Sequence, residues 1–80
     1  MDLYSEIKTI IAKLLAIEAE TITKEAHLHF DLGADSLAME NLALAISEKY
    51  GIELLGEDLV ELDNVGQLIT LLESRINVLK

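Results

Sequence analysis

The stretch Asp31-Leu32-Gly33-Ala34-Asp35-Ser36-Leu37 sets a serine directly after an acid and three residues after a glycine. Gly33 suits a turn and Asp35 suits a helix N-cap. Ser36 therefore falls in the first turn of a helix, where a hydroxyl is exposed and sterically open. Such a hydroxyl can act as a nucleophile or serve as an attachment point. The first role needs a base and an oxyanion hole. His27 and His29 are the candidate bases, but 80 residues leave no further segment to organise the rest of a hydrolase site. The second role needs only access. A third reading is that Asp35 and Ser36 are ordinary N-terminal helix residues.

His27 and His29 flank Leu28, and a His-x-His pair in a loop can ligate a metal. A structural zinc site usually takes four protein ligands, and nothing fixes the geometry of the nearby acids. The better reading is a pair of exposed loop histidines, with no metal site. Asp31-x-Gly33-x-Asp35 has the look of a calcium loop. Counted from Asp31, however, its sixth and twelfth positions are Ser36 and Leu42, where an EF-hand needs glycine and glutamate. There is no cysteine, so neither a disulfide nor a thiolate site is possible, and the chain has no thiol of its own.

The elements around this stretch read as helices. Leu3, Ile7, Ile10, Ile11 and Leu14 recur at three- and four-residue spacings. They predict an amphipathic helix over roughly Leu3 to Ile17, with Asp2 as its cap. A long connection over residues 18–30 follows. Such a length is unusual without a packed or functional role, and Ile22, Leu28 and Phe30 are candidates to pin it to the core. The second helix should run from Ser36 to Tyr50, with Gly51 as its left-handed C-cap. At ~100° per residue, Met39, Leu42, Ala43, Ile46 and Tyr50 share its inward face. Leu37, Glu40, Asn41, Leu44, Ser47 and Glu48 lie opposite, a mixed surface of leucines among acids and amides. Ile52 and Leu54 lie in a connection, and Glu57 to Leu62 allows one or two helical turns. The last helix begins after Asn64, which forms a capping-box variant with Gln67. Its apolar stripe is Val65, Leu68, Ile69, Leu72 and Ile76. The expectation is one all-α domain over residues 1–80, a small bundle of three main helices plus one short helix.

Composition narrows the partners. Net charge is −9, from 15 acidic and 6 basic residues. That opposes nucleic acid, whose phosphates need clustered Lys and Arg, and disfavours anionic membrane surfaces. Partners should carry basic patches and be steered electrostatically. No apolar run approaches a membrane span, and no signal layout opens the chain, so a soluble cytoplasmic monomer is the expectation.

The stretch from Asp31 to Leu37 resembles the attachment motif of the acyl carrier protein family. Tyr50-Gly51-Ile52-Glu53-Leu54, Glu57-Asp58 and Asn64-Val65-Gly66 also stand at that family's spacing. The resemblance runs over nearly the whole chain and is densest from Leu28 to Ile69. It implies that a phosphopantetheinyl transferase moves 4′-phosphopantetheine from coenzyme A onto Ser36. It implies too that the chain carries acyl groups as thioesters and catalyses nothing itself. Asp35 then resembles the residue that helps engage the transferase and its metal, and Asp35 and Leu37 flank the attachment site. Leu37, Glu40, Asn41, Leu44, Ser47 and Glu48 resemble the surface met by acyl-chain synthesis and transfer enzymes. Leu42, Ile46, Leu59, Leu62, Leu68 and Ile69 are core residues first and candidate lining of an acyl cavity second.

The chain departs from the family at several outward positions. Ala38 stands where an acid is frequent, Glu40 where an apolar residue is usual, and Asn41 where glutamate is common. Ser47 and Lys49 replace acids, Leu55 replaces a frequent proline, and Val60 replaces a polar or acidic residue. Either the chain serves a dedicated polyketide or other specialised lipid pathway, or its partner constraints are relaxed within fatty-acid synthesis. The alternative from another class is an interaction bundle with no prosthetic group. The Gly33-to-Leu37 spelling favours the discrete, type II bacterial-like carriers.

Overall fold

The computed structural model describes residues 2–78, and they form an all-α structure with no strand. Four helices appear in order: α1 (Leu3–Leu15), α2 (Ser36–Tyr50), α3 (Gly56–Val60) and α4 (Val65–Val78), with a 3-10 turn at Ala19–Thr21 between α1 and α2. α2 packs against both α1 and α3, and α4 packs against α1.

Asp2 caps α1 by accepting the Ser5 N–H at 2.7 Å. The helix buries Ile7 and Ile11. It ends two residues before the predicted Ile17, because Ala16 turns left-handed (φ 56°) and Ile17 N–H donates back to the Ala12 carbonyl. Leu14, expected in the apolar stripe, is 43% exposed. α2 has the predicted bounds. Asp35 caps it, Gly51 at φ 65° closes it, and Met39, Leu42, Ala43 and Ile46 are its buried face. Tyr50, the last inward position, is half-buried.

The 20-residue connection between α1 and α2 is structured without being helical. Ile22 and Leu28 sink into the core as expected, joined by Ala26 and Ala34. Phe30 does not: it is 80% exposed, which corrects the expectation that it pins the loop. The loop also completes α4. Val65 N–H donates to the Ala26 carbonyl at 2.9 Å and Gly66 N–H to the Lys24 carbonyl at 2.8 Å. Two of the orphan donors of that helix start are thereby satisfied. Asn64 Oδ1 accepts the Gln67 N–H at 2.8 Å, while Gln67 reaches back to Asp63 N–H, one residue before the predicted partner. Val65, Leu68 and Leu72 are buried, and Ile69 and Ile76 pack at the core's margin.

Polar ties between distant residues close the bundle. Arg75 on α4 donates to the Glu53 carbonyl at 2.6 Å and lies 3.6 Å from Asp58, holding the connection into α3 and α3 itself. The Tyr4 hydroxyl donates to the Ile22 carbonyl at 3.0 Å, and the Lys8 and Lys24 ammonium groups stand over its ring. The Tyr50 hydroxyl donates to Glu6 Oε1 at 2.6 Å, joining α2 to α1.

Two substitutions test the helix ends. A Cβ on Gly51 would meet nothing within 4 Å, so Gly51→Ala should show the left-handed backbone penalty alone, about 1–2 kcal/mol. Ala16 already bears that strain. Ala16→Gly should therefore stabilise by about 0.5–1 kcal/mol after the added unfolded-state entropy is deducted. Urea denaturation should move the two midpoints in opposite directions.

Alkaline titration tests the Tyr50 tie. Burial, and then the hydrogen bond to Glu6, push the Tyr50 phenol above its ordinary range. Its contribution is present in full below the free phenol value of about 10 and is lost as pH rises through the raised folded value. Tyr50→Phe should cost about 1 kcal/mol near neutrality and flatten the fall of stability above about pH 10. An unchanged alkaline limb in the variant, read by thermal melts across that range, would place the effect elsewhere.

Candidate functional site

Ser36 is the first residue of α2 and is exposed. Asp35 precedes it in extended conformation (φ −87°, ψ −175°). One carboxylate oxygen accepts the Ala38 N–H at 2.8 Å, and its carbonyl accepts the Met39 N–H at 2.9 Å. The first-turn N–H groups of Ser36 and Leu37 are then the donors that no intrahelical carbonyl can reach. They face the region where an anion is favoured by the helix dipole. Leu37 stands beside them, 69% exposed.

The approach to Ser36 is built by short-range hydrogen bonds. Asp31 Oδ2 accepts the His27 N–H at 2.7 Å. The His27 carbonyl accepts the N–H groups of Asp31 and Leu32, Gly33 N–H donates to the His29 carbonyl, and Ala34 N–H donates to the Leu28 carbonyl. Gly33 sits at φ 79°, a conformation that side-chain-bearing residues rarely adopt, so the chain turns at Gly33 as expected.

The two histidines have structural duties that the sequence did not disclose. His27 is half-buried rather than exposed, and its Nδ1 accepts the N–H groups of both His29 and Phe30 at 3.1 Å. His29 Nδ1 lies 2.8 Å from the Ala34 carbonyl. A carbonyl can only accept, so His29 carries its proton on Nδ1, whereas His27 must leave Nδ1 bare. The Phe30 ring rests against both imidazoles, with centroids 4.6 Å from His27 and 5.1 Å from His29. Among the described residues no group of three or more His, Asp or Glu is placed to hold a metal.

A cleft of about 370 Å³ opens beside Ser36. His27, His29 and Phe30 form its loop wall, Met39 and Val60 its helical wall, with Ala34 and Asp35 between them. None of the six residues suggested as acyl-cavity lining borders it. Leu42, Ile46, Leu59 and Leu68 are fully buried in the core, and Leu62 and Ile69 pack at its edge.

The outward face of α2 presents Leu37, Glu40, Asn41, Leu44 and Glu48, all exposed. Ser47 is different. Its hydroxyl lies 2.7 Å from the Ala43 carbonyl and 3.0 Å from the Leu54 carbonyl, so it ties the following connection to α2 and is half-buried. Glu40 is exposed but leans over the start of α3, where a Cβ on Gly56 would run into its side chain. Neither feature has a signal in local periodicity, because both depend on how the chain returns after Gly51.

An exposed serine at a helix N-terminus, fed by a glycine turn and capped by aspartate, suits a phosphate ester: access is open and the nearby amides favour the anion. Comparison with known proteins agrees. Residues 5–72 match the family described as "Phosphopantetheine attachment site". The acyl carrier proteins of Helicobacter pylori strains G27 and HPAG1 and of Helicobacter acinonychis strain Sheeba are each 38% identical to this chain over 73 residues. Each alignment covers 91% of this chain and 94% of the relative. With the helical bundle, the attachment motif and the whole-length similarity together, this chain belongs to the acyl carrier protein family, whose members hold acyl groups on a phosphopantetheine arm and leave the catalysis to other enzymes.

Proposed function

We propose that Ser36 bears 4′-phosphopantetheine and that the chain delivers acyl thioesters to enzymes of fatty-acid or related acyl-chain biosynthesis. The observation that carries this reading is the exposed Ser36 hydroxyl in the first turn of α2, beside a cleft and behind the Asp35 cap. In loading, Ser36 Oγ attacks the phosphorus that bears pantetheine in coenzyme A and forms a new O–P bond. The pyrophosphate P–O bond breaks, adenosine bisphosphate leaves, and the hydroxyl proton passes to a base on the transferase. The arm supplies the thiol that the chain lacks. Ser36 N–H and Leu37 N–H stabilise the resulting phosphodiester, and Asp35 holds the helix start while keeping one carboxylate oxygen available to the transferase's metal.

A second reading, a dedicated carrier for a polyketide or other specialised lipid pathway, draws support from the exposed apolar side chains of Leu55 and Val60 at 51% and 58%. They put hydrophobic area where the family usually has proline or a polar residue. The partners proposed are a phosphopantetheinyl transferase and acyl-handling enzymes with basic patches that meet Leu37, Glu40, Asn41, Leu44 and Glu48. A cytoplasmic monomer is the state proposed with them.

Co-expression with a phosphopantetheinyl transferase, followed by intact-mass analysis, should add one phosphopantetheinyl mass to the chain and none to Ser36→Ala. Failure of several transferases to modify the chain would sink the reading in favour of an interaction bundle.

Electrostatic steering gives a second test. Raising ionic strength from about 0.01 to 0.5 M should lower kcat/KM for acyl transfer by about tenfold or more, because the Debye length shrinks from ~30 Å to a few ångströms. Rates that ignore salt would remove basic patches from the description of the partner. Equal, normal rates with every enzyme of general fatty-acid synthesis would remove the specialised pathway.

A further inference from the structure

We propose that His27 is a pH-sensitive latch on the loop that presents Ser36, closed while its imidazole is neutral and opened when the ring takes up a second proton. The starting observation is a hydrogen-bond pattern. Nδ1 of the half-buried His27 ring accepts the backbone N–H groups of His29 and Phe30, two and three residues on, each at 3.1 Å. Accepting from those two positions is how a side chain caps a turn or a helix start, and Ser, Thr, Asn and Asp ordinarily supply the acceptor. None of those four changes its charge between about pH 5 and pH 8, whereas imidazole does.

Protonation inverts the chemistry of that one atom. The neutral His27 ring keeps a lone pair on Nδ1 and its proton on Nε2. The charged ring bears a proton on both nitrogens and can accept nothing. Nδ1–H then faces two N–H groups, and both amides lose their partner. His29 supplies the contrast. Its Nδ1 already carries the proton donated to the Ala34 carbonyl at 2.8 Å, so a second proton on Nε2 leaves that bond in place. The two histidines of the chain thus answer acid in opposite ways. The latch bonds are complete above the range in which imidazoles titrate and are lost as pH falls through it.

The groups around the ring favour the open state once the proton arrives. The loop itself contributes the Asp31 carboxylate, which accepts the His27 N–H at 2.7 Å, and the His29 ring. The start of α2 contributes Asp35, and α3 contributes only the uncharged Val60. The two carboxylates attract an imidazolium, while the two N–H groups repel it. Each protonation state therefore has its own set of partners, as a switch requires. Opening loosens the turn up to Gly33, because the His29 carbonyl that receives the Gly33 N–H lies between the two released amides. Phe30, whose ring stands 4.6 Å from His27, loses the same support. Ser36 follows Gly33 by three residues, so its presentation loosens with the turn. The latch is independent of what Ser36 carries; its effect on loading rests on the reading that Ser36 bears the arm.

Nitrogen-resolved magnetic resonance on the full chain tests the latch. Above the titration range the two rings should show opposite tautomers, His27 with Nδ1 bare and His29 with Nδ1 protonated. From about pH 8 to about pH 5, protection of the His29 and Phe30 amides against hydrogen exchange, corrected for intrinsic rates, should fall about tenfold, while the Ala34 amide keeps its protection. His27→Asn puts an acceptor that does not titrate in place of Nδ1 and should hold both amides throughout. Loading by a phosphopantetheinyl transferase, taken as the rate of His27→Asn over that of the parent so that the transferase's own titration cancels, should be near equality at about pH 8 and rise about threefold or more at about pH 5.5. The same tautomer in both rings, or parent amides that stay protected in acid, overturns the latch, and the parent's spectra decide this even where the variant folds poorly. Protection lost equally in His27→Asn assigns the acid effect to another group and overturns it too. A flat ratio of loading rates overturns the reach of the latch to Ser36. A parent that takes no arm at either pH overturns that reach together with the attachment reading, while the tautomers and amides still decide the latch itself.

Discussion

The presentation of Ser36 depends on how residues 22–34 are fastened down. Leu28 and Ala34 are each 1% exposed, and the Ala34 N–H donates to the Leu28 carbonyl at 2.9 Å. A full turn of loop is thereby closed just before α2 begins, and the Asp31 carboxylate holds it further by accepting the His27 N–H. The same segment gives its Lys24 and Ala26 carbonyls to the start of α4. One loop therefore sets the entry angle of α2 and completes the last helix. If it were an unstructured tether, Ser36 would have no fixed relation to the Phe30 wall or to Val60. Its order comes from buried aliphatic side chains and short-range backbone bonds, which a chain of this size can supply without a large core.

Much of this was legible in the sequence, and what was missed has a common cause. The bounds of α2, its caps at Asp35 and Gly51, and its buried face of Met39, Leu42, Ala43 and Ile46 follow from periodicity and from conformational preferences that are local. The end of α1 was misplaced because an alanine, not a glycine, adopts the left-handed turn there. Phe30 was expected inside because hydrophobicity alone assigns direction poorly in a loop, where no period says which side chain faces in. Ser47 was grouped with the contact surface by its angle on the helix wheel, but its hydroxyl meets a carbonyl seven residues away. Arg75 with Glu53, and Tyr50 with Glu6, join residues 22 and 44 apart, beyond any pattern that a window of helix can show.

Charge and apolar exposure work against one another on the same surface. Leu37, Leu44, Leu55 and Val60 each expose more than half of their area along α2 and α3. Hydrophobic side chains in such number ordinarily promote association. The net charge of −9 opposes self-association, because two copies brought together repel. The same charge would draw in the basic partners proposed above. With such partners the balance would favour brief, oriented encounters over stable complexes, since exposed ion pairs add little affinity while raising the rate of encounter.

The histidines show why the serine is presented and not activated. His27 and His29 are the bases nearest to Ser36 in the chain, and both border its cleft. Activation of a serine needs an unprotonated imidazole nitrogen aimed at its hydroxyl, with the other nitrogen oriented by an acceptor. His27 has its bare Nδ1 occupied by two backbone N–H groups, so its role is to cap the loop. His29 does have an oriented Nδ1, through the Ala34 carbonyl, but among the described residues no hydrogen bond joins either imidazole to the Ser36 hydroxyl. What remains at Ser36 is a set of properties that suit a tether: an accessible hydroxyl, amides that welcome a phosphodiester, and rigid apolar walls close by. Catalytic machinery on this chain would add only a route for losing the thioester that it must keep intact between enzymes.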